Sequence, residues 1–157
     1  MSREVIGARL DANPSANKEI LMKSVRSLIL AGMLGIAPAT AAIAAGDPLF
    51  VNVTAAPHAH RTEMALAFAQ NVAKKDHPVT IFLNDEAVMV ATKAKADSPS
   101  GKMLADAMKG GITVIVCQNC MKHYKVAETD LVGGVKLGTP DLTQGALFAP
   151  NTRTLSW

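Results

Sequence analysis

Few residues in this chain have side chains and spacing suited to chemistry. Cys117-Gln118-Asn119-Cys120 contains both cysteines of the sequence. Two thiols three residues apart can face one another across a turn, and such a pair can close and open a disulfide. The run Ile112–Val116 just before them is apolar and largely β-branched, so Cys117 falls at the carboxyl end of a strand. A thiolate rather than a thiol attacks sulfur. If Cys120 lies in the first turn of a following helix, free backbone N–H groups favour negative charge there. Lys122, His123 and Lys125 add positive charge within a turn or two. This pattern points to reactive sulfur, with Cys117 and Cys120 as catalytic residues and Lys122 and His123 in support. The plainer alternative is two half-buried thiols packing as small hydrophobes.

The remaining candidates carry less chemistry. A structural zinc site needs four ligands, and there is no second CxxC. His58, His60 and His123 could complete a site with the cysteines if the loops converge, and Met64 and Met121 would then favour a soft cation. His58 and His60 are thus the metal candidates, although neither a resident metal nor a cofactor is expected. Arg61 stands at a strand-to-helix turn, where it could steer an anion. Gly133, Gly134 and Gly138 form neither a dinucleotide fingerprint nor a phosphate loop. No Ser-His-Asp arrangement is legible, and Asp85-Glu86 reads as a solvated loop rather than a catalytic pair.

Two periodicities in the sequence describe the elements that position these residues. Leu49–Thr54, Pro78–Leu83, Ile112–Val116, Val135–Leu137 and Thr152–Trp157 read as strands. Arg61–Lys75 places Met64, Leu66, Phe68, Ala69, Val72 and Ala73 at helical spacing. Met103, Leu104, Ala107 and Met108 mark a second helix stopped by Gly110-Gly111, and Lys93–Gly101 reads as a polar connection before it. Glu128–Val132 reads as a short helix and Pro140–Phe148 as the last one, whereas Ala87–Thr92 fits either a strand or a helix. Near-continuous apolar strands alternating with helices imply a mostly parallel sheet covered on both faces, an α/β fold. In such sheets function gathers at the carboxyl ends of the strands. Those ends are Thr54–His60, Asn84–Glu86 and Cys117–His123.

Composition narrows the setting. Of the 157 residues, 49% are apolar and six are aromatic, so the core must be built mainly from Val, Ile, Leu, Ala and Met. Residues 1–44 hold five Lys/Arg and three Asp/Glu, and the rest hold eleven and ten. A net charge near +1 on residues 45–157 gives no electrostatic case for nucleic-acid binding. Met22-Lys23-Ser24-Val25-Arg26, the charge-free run Ser27–Ala37 and the small residues Pro38–Ala45 are the three parts of a secretory signal. We therefore read 1–44 as an extension and signal peptide (about 22–44) and 45–157 as one domain. Cleavage is expected before Ala45 or Gly46, with Met1 or Met22 as the start. The mature protein would be periplasmic and would meet the membrane only through the signal segment.

Several stretches resemble the DsrE/DsrF-like family. They are Leu49–Thr54, Arg61 with Met64-Ala65-Leu66, His77–Asn84, Val114–Lys122, Ala146–Ala149 and Thr154–Ser156, which together span about residues 48–157. The resemblance implies the YchN-like three-layer α/β/α sandwich and homo- or hetero-oligomers, often hexamers; with exposed parallel-sheet edges and few aromatics, a homo-oligomer, a trimer or hexamer, is expected. It also implies a persulfide carried on the cysteine that ends the third-motif strand, here Cys117, and sulfur passed between donor and acceptor proteins. Cys120 matches the second cysteine of a CxxC subgroup. There are departures. Family relay members are mostly cytoplasmic, His58 and His60 replace acidic residues before Arg61, and Lys125 stands where a Gly commonly follows the CxxC turn. If that turn needs φ > 0, Lys125 costs roughly 1 kcal/mol. The expected function is exported sulfur handling by a sulfurtransferase-like carrier. The alternatives are a metal- or ligand-binding module and a scaffold with passive thiols.

Overall fold

The computed structural model describes residues 46–57 and 59–157. The signal segment read at 22–44 and the metal candidate His58 lie outside them. Five strands form one sheet: β1 (Leu49–Val53), β2 (Val79–Leu83), β3 (Thr113–Val116), β4 (Lys136–Leu137) and β5 (Arg153–Ser156). Their order is β4-β3-β2-β1-β5 and every pairing is parallel. Among the described residues the α-helices are α1 (His60–Ala73), α2 (Pro99–Lys109), α3 (Gln118–His123) and α4 (Pro140–Leu147).

Alternation along the strands separates two faces. Val51, Val53, Ile81, Leu83, Val114 and Val116 point to one of them and pack with Ala65, Leu66 and Ala69 of α1 and Leu104 and Ala107 of α2. Phe50, Phe82 and Ile115 point to the other face. There Thr143 and Leu147 of α4 share a cleft with Phe50 and Phe82. The order of strands explains the change of side. From β1 to β4 the chain steps one way across the sheet. To reach β5 it must return past β1, and a crossover of constant hand then lies on the opposite face.

Local chemistry accounts for the element ends, including one boundary that differs from the sequence reading. Lys93–Gly101 is not simply a connection, because α2 begins at Pro99. Ser98 caps it by accepting the Gly101 N–H at 3.1 Å, and Pro99 occupies the first turn, where its missing N–H is harmless. A Cβ at Gly101 would overlap the Lys95 carbonyl, so this glycine allows a close approach of backbone. The ambiguous stretch Ala87–Thr92 resolves as a 3₁₀ segment, Asp85–Ala91, that buries Ala87, Val88, Val90 and Ala91. Glu128–Asp130 is a short 3₁₀ turn. The loop between β1 and α1 is tied by polar groups in the core. Thr62 Oγ1 donates to Ala55 O (3.1 Å) and Ala56 O (2.7 Å), and Ser100 Oγ donates to Pro57 O. Among the described residues no helix is long and apolar enough to cross a membrane.

Candidate functional site

β3 ends at Val116, and Cys117 is the residue that starts α3. Its backbone N–H still donates to Leu83 O of β2 (3.0 Å), while its Sγ accepts the Cys120 N–H (3.2 Å) as the helix cap. Cys120 lies in the first turn, with a Cα–Cα separation of 5.3 Å from Cys117. The two sulfurs close a disulfide, and the Cα separation is one that such a bond spans without moving backbone. Met121, the next residue, is buried in the core and fixes the helix.

The far end of α3 is equally well defined. The Val126 N–H donates to Met121 O (2.8 Å) and the Lys125 N–H to Lys122 O (3.3 Å). These bonds form a Schellman ending, which puts Lys125 at φ +56°. The left-handed residue expected after the CxxC turn is therefore present, and a lysine occupies it.

β2 ends beside this helix, and its first two loop residues hold α3 at two points. Asn84 Oδ1 accepts the Asp85 N–H (2.9 Å) and lies 2.9 Å from Cys120 Sγ. Tyr124 OH donates to Asp85 Oδ1 at 2.6 Å. That hydrogen bond, together with desolvation and the negative charges of Asp85 and Glu86, raises the Tyr124 phenol above its usual 10.0. Asp85 is itself left-handed, at φ +48°. In the sequence Asn84–Glu86 stands out as a strand end, but nothing there gives Asn84 or Tyr124 a role. Asp85 and Glu86 are exposed and do not form a catalytic pair.

Cys117 opens onto a cleft of about 450 Å3, lined also by Phe82, Gln118, Lys122, Thr139 and Thr143. Gln118 Nε2 donates to Gly138 O across it (3.2 Å). A Cβ on Gly138 would come within 2.7 Å of Val116 O, so glycine lets this loop close over the end of β3. The structure thus brings Cys117, Cys120 and Lys122 together. His123 is exposed and stands edge-on to the Tyr124 ring, with centroids 4.9 Å apart. Arg61 is exposed in the first turn of α1 and is not among the residues lining the cleft. His60 is 82% exposed and meets Glu63 at 3.9 Å. Among the described residues no group of three or more His, Cys, Asp and Glu side chains could hold a metal ion.

The fold is an all-parallel α/β sheet with the Cys117–Cys120 pair just beyond the end of its third strand. The chain belongs to the DsrE/DsrF-like family, which its residues 47–147 match. Solved structures share the fold. YchN from E. coli is 16% identical, with a TM-score of 0.64 over 71% of this chain and all (100%) of that one. A conserved protein of unknown function from Bacteroides thetaiotaomicron is 21% identical, with a TM-score of 0.57 over 74% of this chain and 99% of its own. A protein of unknown function from Methanobacterium thermoautotrophicum is 14% identical, with a TM-score of 0.56 over 71% and 100%. No curated protein matches the chain.

Proposed function

We propose that the protein handles sulfane sulfur, carrying it as a persulfide on Cys117 in the manner suggested by its family. The observation that supports this most directly is the placement of Cys117 at the carboxyl end of a buried parallel strand, open to a cleft and beside a second cysteine. The Cys117 thiolate attacks the outer sulfur of a donor persulfide R–S–S⁻. The donor's S–S bond breaks, R–S⁻ leaves, and Cys117 keeps the sulfur. Cys120 then gives its proton to the outer sulfur and attacks the inner sulfur of that persulfide as the thiolate, hydrosulfide departs, and the Cys117–Cys120 disulfide remains. A dithiol reductant must reopen the pair before the next cycle.

Incubating the reduced protein with polysulfide and measuring intact mass tests this reading. An adduct of about 32 Da is expected on Cys117. Cys117→Ser should abolish it, and Cys120→Ser should lengthen its lifetime. A Cys117→Ser protein that still loads sulfur would reverse the assignment, and unchanged loading in both variants would end it.

The setting belongs to the same proposal. The charge-free run and small residues at 27–45 support export with cleavage before Ala45 or Gly46, which N-terminal sequencing of secreted protein checks. Phe148, 77% exposed, and the open sheet edges at β4 and β5 support a homo-oligomer, a trimer or hexamer. Light scattering that gives a monomer mass would count against it.

A further inference from the structure

We propose that Asn84 is a positioning residue for the thiol pair. It holds Cys120 as the protonated, resolving thiol, and it biases the pair toward the reduced form. This deepens the sulfur-carrier reading and concerns the same two cysteines.

The argument starts from the orientation of one amide. An Asn side chain can be turned either way, but Asn84 receives the Asp85 N–H at 2.9 Å, so the atom at that place must be the acceptor oxygen. The same oxygen lies 2.9 Å from Cys120 Sγ. Asn84 therefore presents a fixed acceptor to Cys120 and cannot turn its NH2 group there without stranding the Asp85 N–H. Asp85 is in turn held by Tyr124 at the end of α3, so the turn that carries the amide is anchored on the helix it faces.

A fixed acceptor treats the redox and charge states of Cys120 differently. As a thiol, Cys120 can donate its proton to Asn84 Oδ1. As a thiolate it would set negative charge against an oxygen lone pair, and in a disulfide it has no proton to donate. Cys117 is in the opposite situation, since its sulfur accepts the Cys120 N–H at 3.2 Å. Charge therefore falls on Cys117 and the proton on Cys120. When a dithiol reductant opens the pair, the Cys117–Cys120 bond breaks and one forms in the reductant. Two electrons and one proton stay on the protein, the reductant's second proton goes to solvent with Cys117 left as thiolate, and the proton on Cys120 Sγ meets the waiting Asn84 oxygen. The reduced state gains a hydrogen bond that the oxidised state lacks. A net gain in the usual range for a single bond is worth about fivefold in the equilibrium, or about 20 mV for a two-electron couple.

The experiment equilibrates the purified protein with mixtures of reduced and oxidised dithiothreitol. The chain has only two cysteines, so counting free thiols reads the equilibrium directly. Asn84→Ala should shift it about fivefold toward the disulfide. Asn84→Asp, which keeps an acceptor for both partners, should stay at the wild-type value or move toward the dithiol. Limited alkylation of the reduced protein should label Cys117 first in the wild type and give Cys120 a larger share in Asn84→Ala. If the alanine variant does not fold, Asn84→Ser carries the same expectation, because its shorter side chain can cap Asp85 but stops short of Cys120. An alanine or serine variant within twofold of wild type would overturn the proposal. So would an aspartate variant that shifts as far toward the disulfide as alanine does. No sulfur donor enters these measurements, so they succeed or fail independently of persulfide loading.

Discussion

Lys125→Gly should stabilise the protein, and the size of the gain follows from the backbone. Lys125 sits at φ +56° in the Schellman ending of α3, held there by the Val126 and Lys125 N–H bonds to Met121 O and Lys122 O. An L-residue in that region brings its Cβ against the following carbonyl, at roughly 1–2 kcal/mol. Glycine removes that clash but loses about 0.4–1 kcal/mol more entropy on folding, so the net gain is about 1 kcal/mol. Lysine near a helix C-terminus also contributes a few tenths through its charge, which the glycine variant forfeits. Lys125→Ala is therefore the proper reference, since it drops the charge and keeps the Cβ. In urea unfolding, glycine should exceed alanine by about 1 kcal/mol at unchanged m-value, and thermal unfolding should shift upward by about 4 °C. Glycine and alanine variants that agree within about 0.3 kcal/mol would refute the left-handed strain argument.

Other consequences are equally direct. Thr62→Val keeps the shape of a fully buried side chain but leaves Ala55 O without its donor, while Ala56 O retains the Ala59 N–H. It should cost about 1–2 kcal/mol by urea denaturation, and a neutral result would show that the loop relaxes to water. The chain has one tyrosine, so absorbance at high pH reads Tyr124 alone. Its midpoint should lie above 10.0, and Asp85→Asn should bring it down. Because the folded protein holds this phenol protonated, the stability it carries is complete below 10.0 and is lost as pH rises through the higher folded value. A midpoint that ignores Asp85→Asn would remove Asp85 as the cause.

The fold was legible where one face of an element is fully buried. β1, β2 and β3 put valine, leucine and isoleucine on the α1–α2 face, with Phe50 and Ile115 on the other, so their apolar runs are nearly continuous and the parallel reading follows. The α2 boundary had a signal that was outweighed. Ser98-Pro99 is a cap followed by a first-turn proline, yet Gly101 three residues later makes the stretch look like loop. That glycine answers to the Lys95 carbonyl, a packing constraint from another turn, which local propensity does not contain. The 3₁₀ course of Asp85–Ala91 was hidden for a similar reason. Ala87–Ala91 is apolar at every position, and so short a continuous run fits a buried strand and a helix alike.

The site divides along the same line. Cys117 and Cys120 announce themselves because their pairing is local, three residues along one turn. Asn84 is 36 positions from Cys120 and Asp85 is 39 from Tyr124, so these contacts exist only once β2 and β3 lie side by side. The parallel sheet turns two unrelated loops into neighbours by aligning Leu83 with Val116, and the next residue of each strand then starts the site. Placing Cys117 at the end of β3 therefore also places Asn84 beside α3, before any property of asparagine is considered. What the sheet cannot specify is which way the amide faces. That is decided by the Asp85 N–H, and Asp85 is held in its left-handed turn by the Tyr124 hydroxyl. On the proposal above, the thiol pair thus depends on a hydroxyl reached only through Asp85 and Asn84, in a turn whose geometry the end of α3 sets. Loosening Tyr124 should reach Cys120 through Asn84, so the dithiol bias is a property of the clamp as well as of the CxxC sequence.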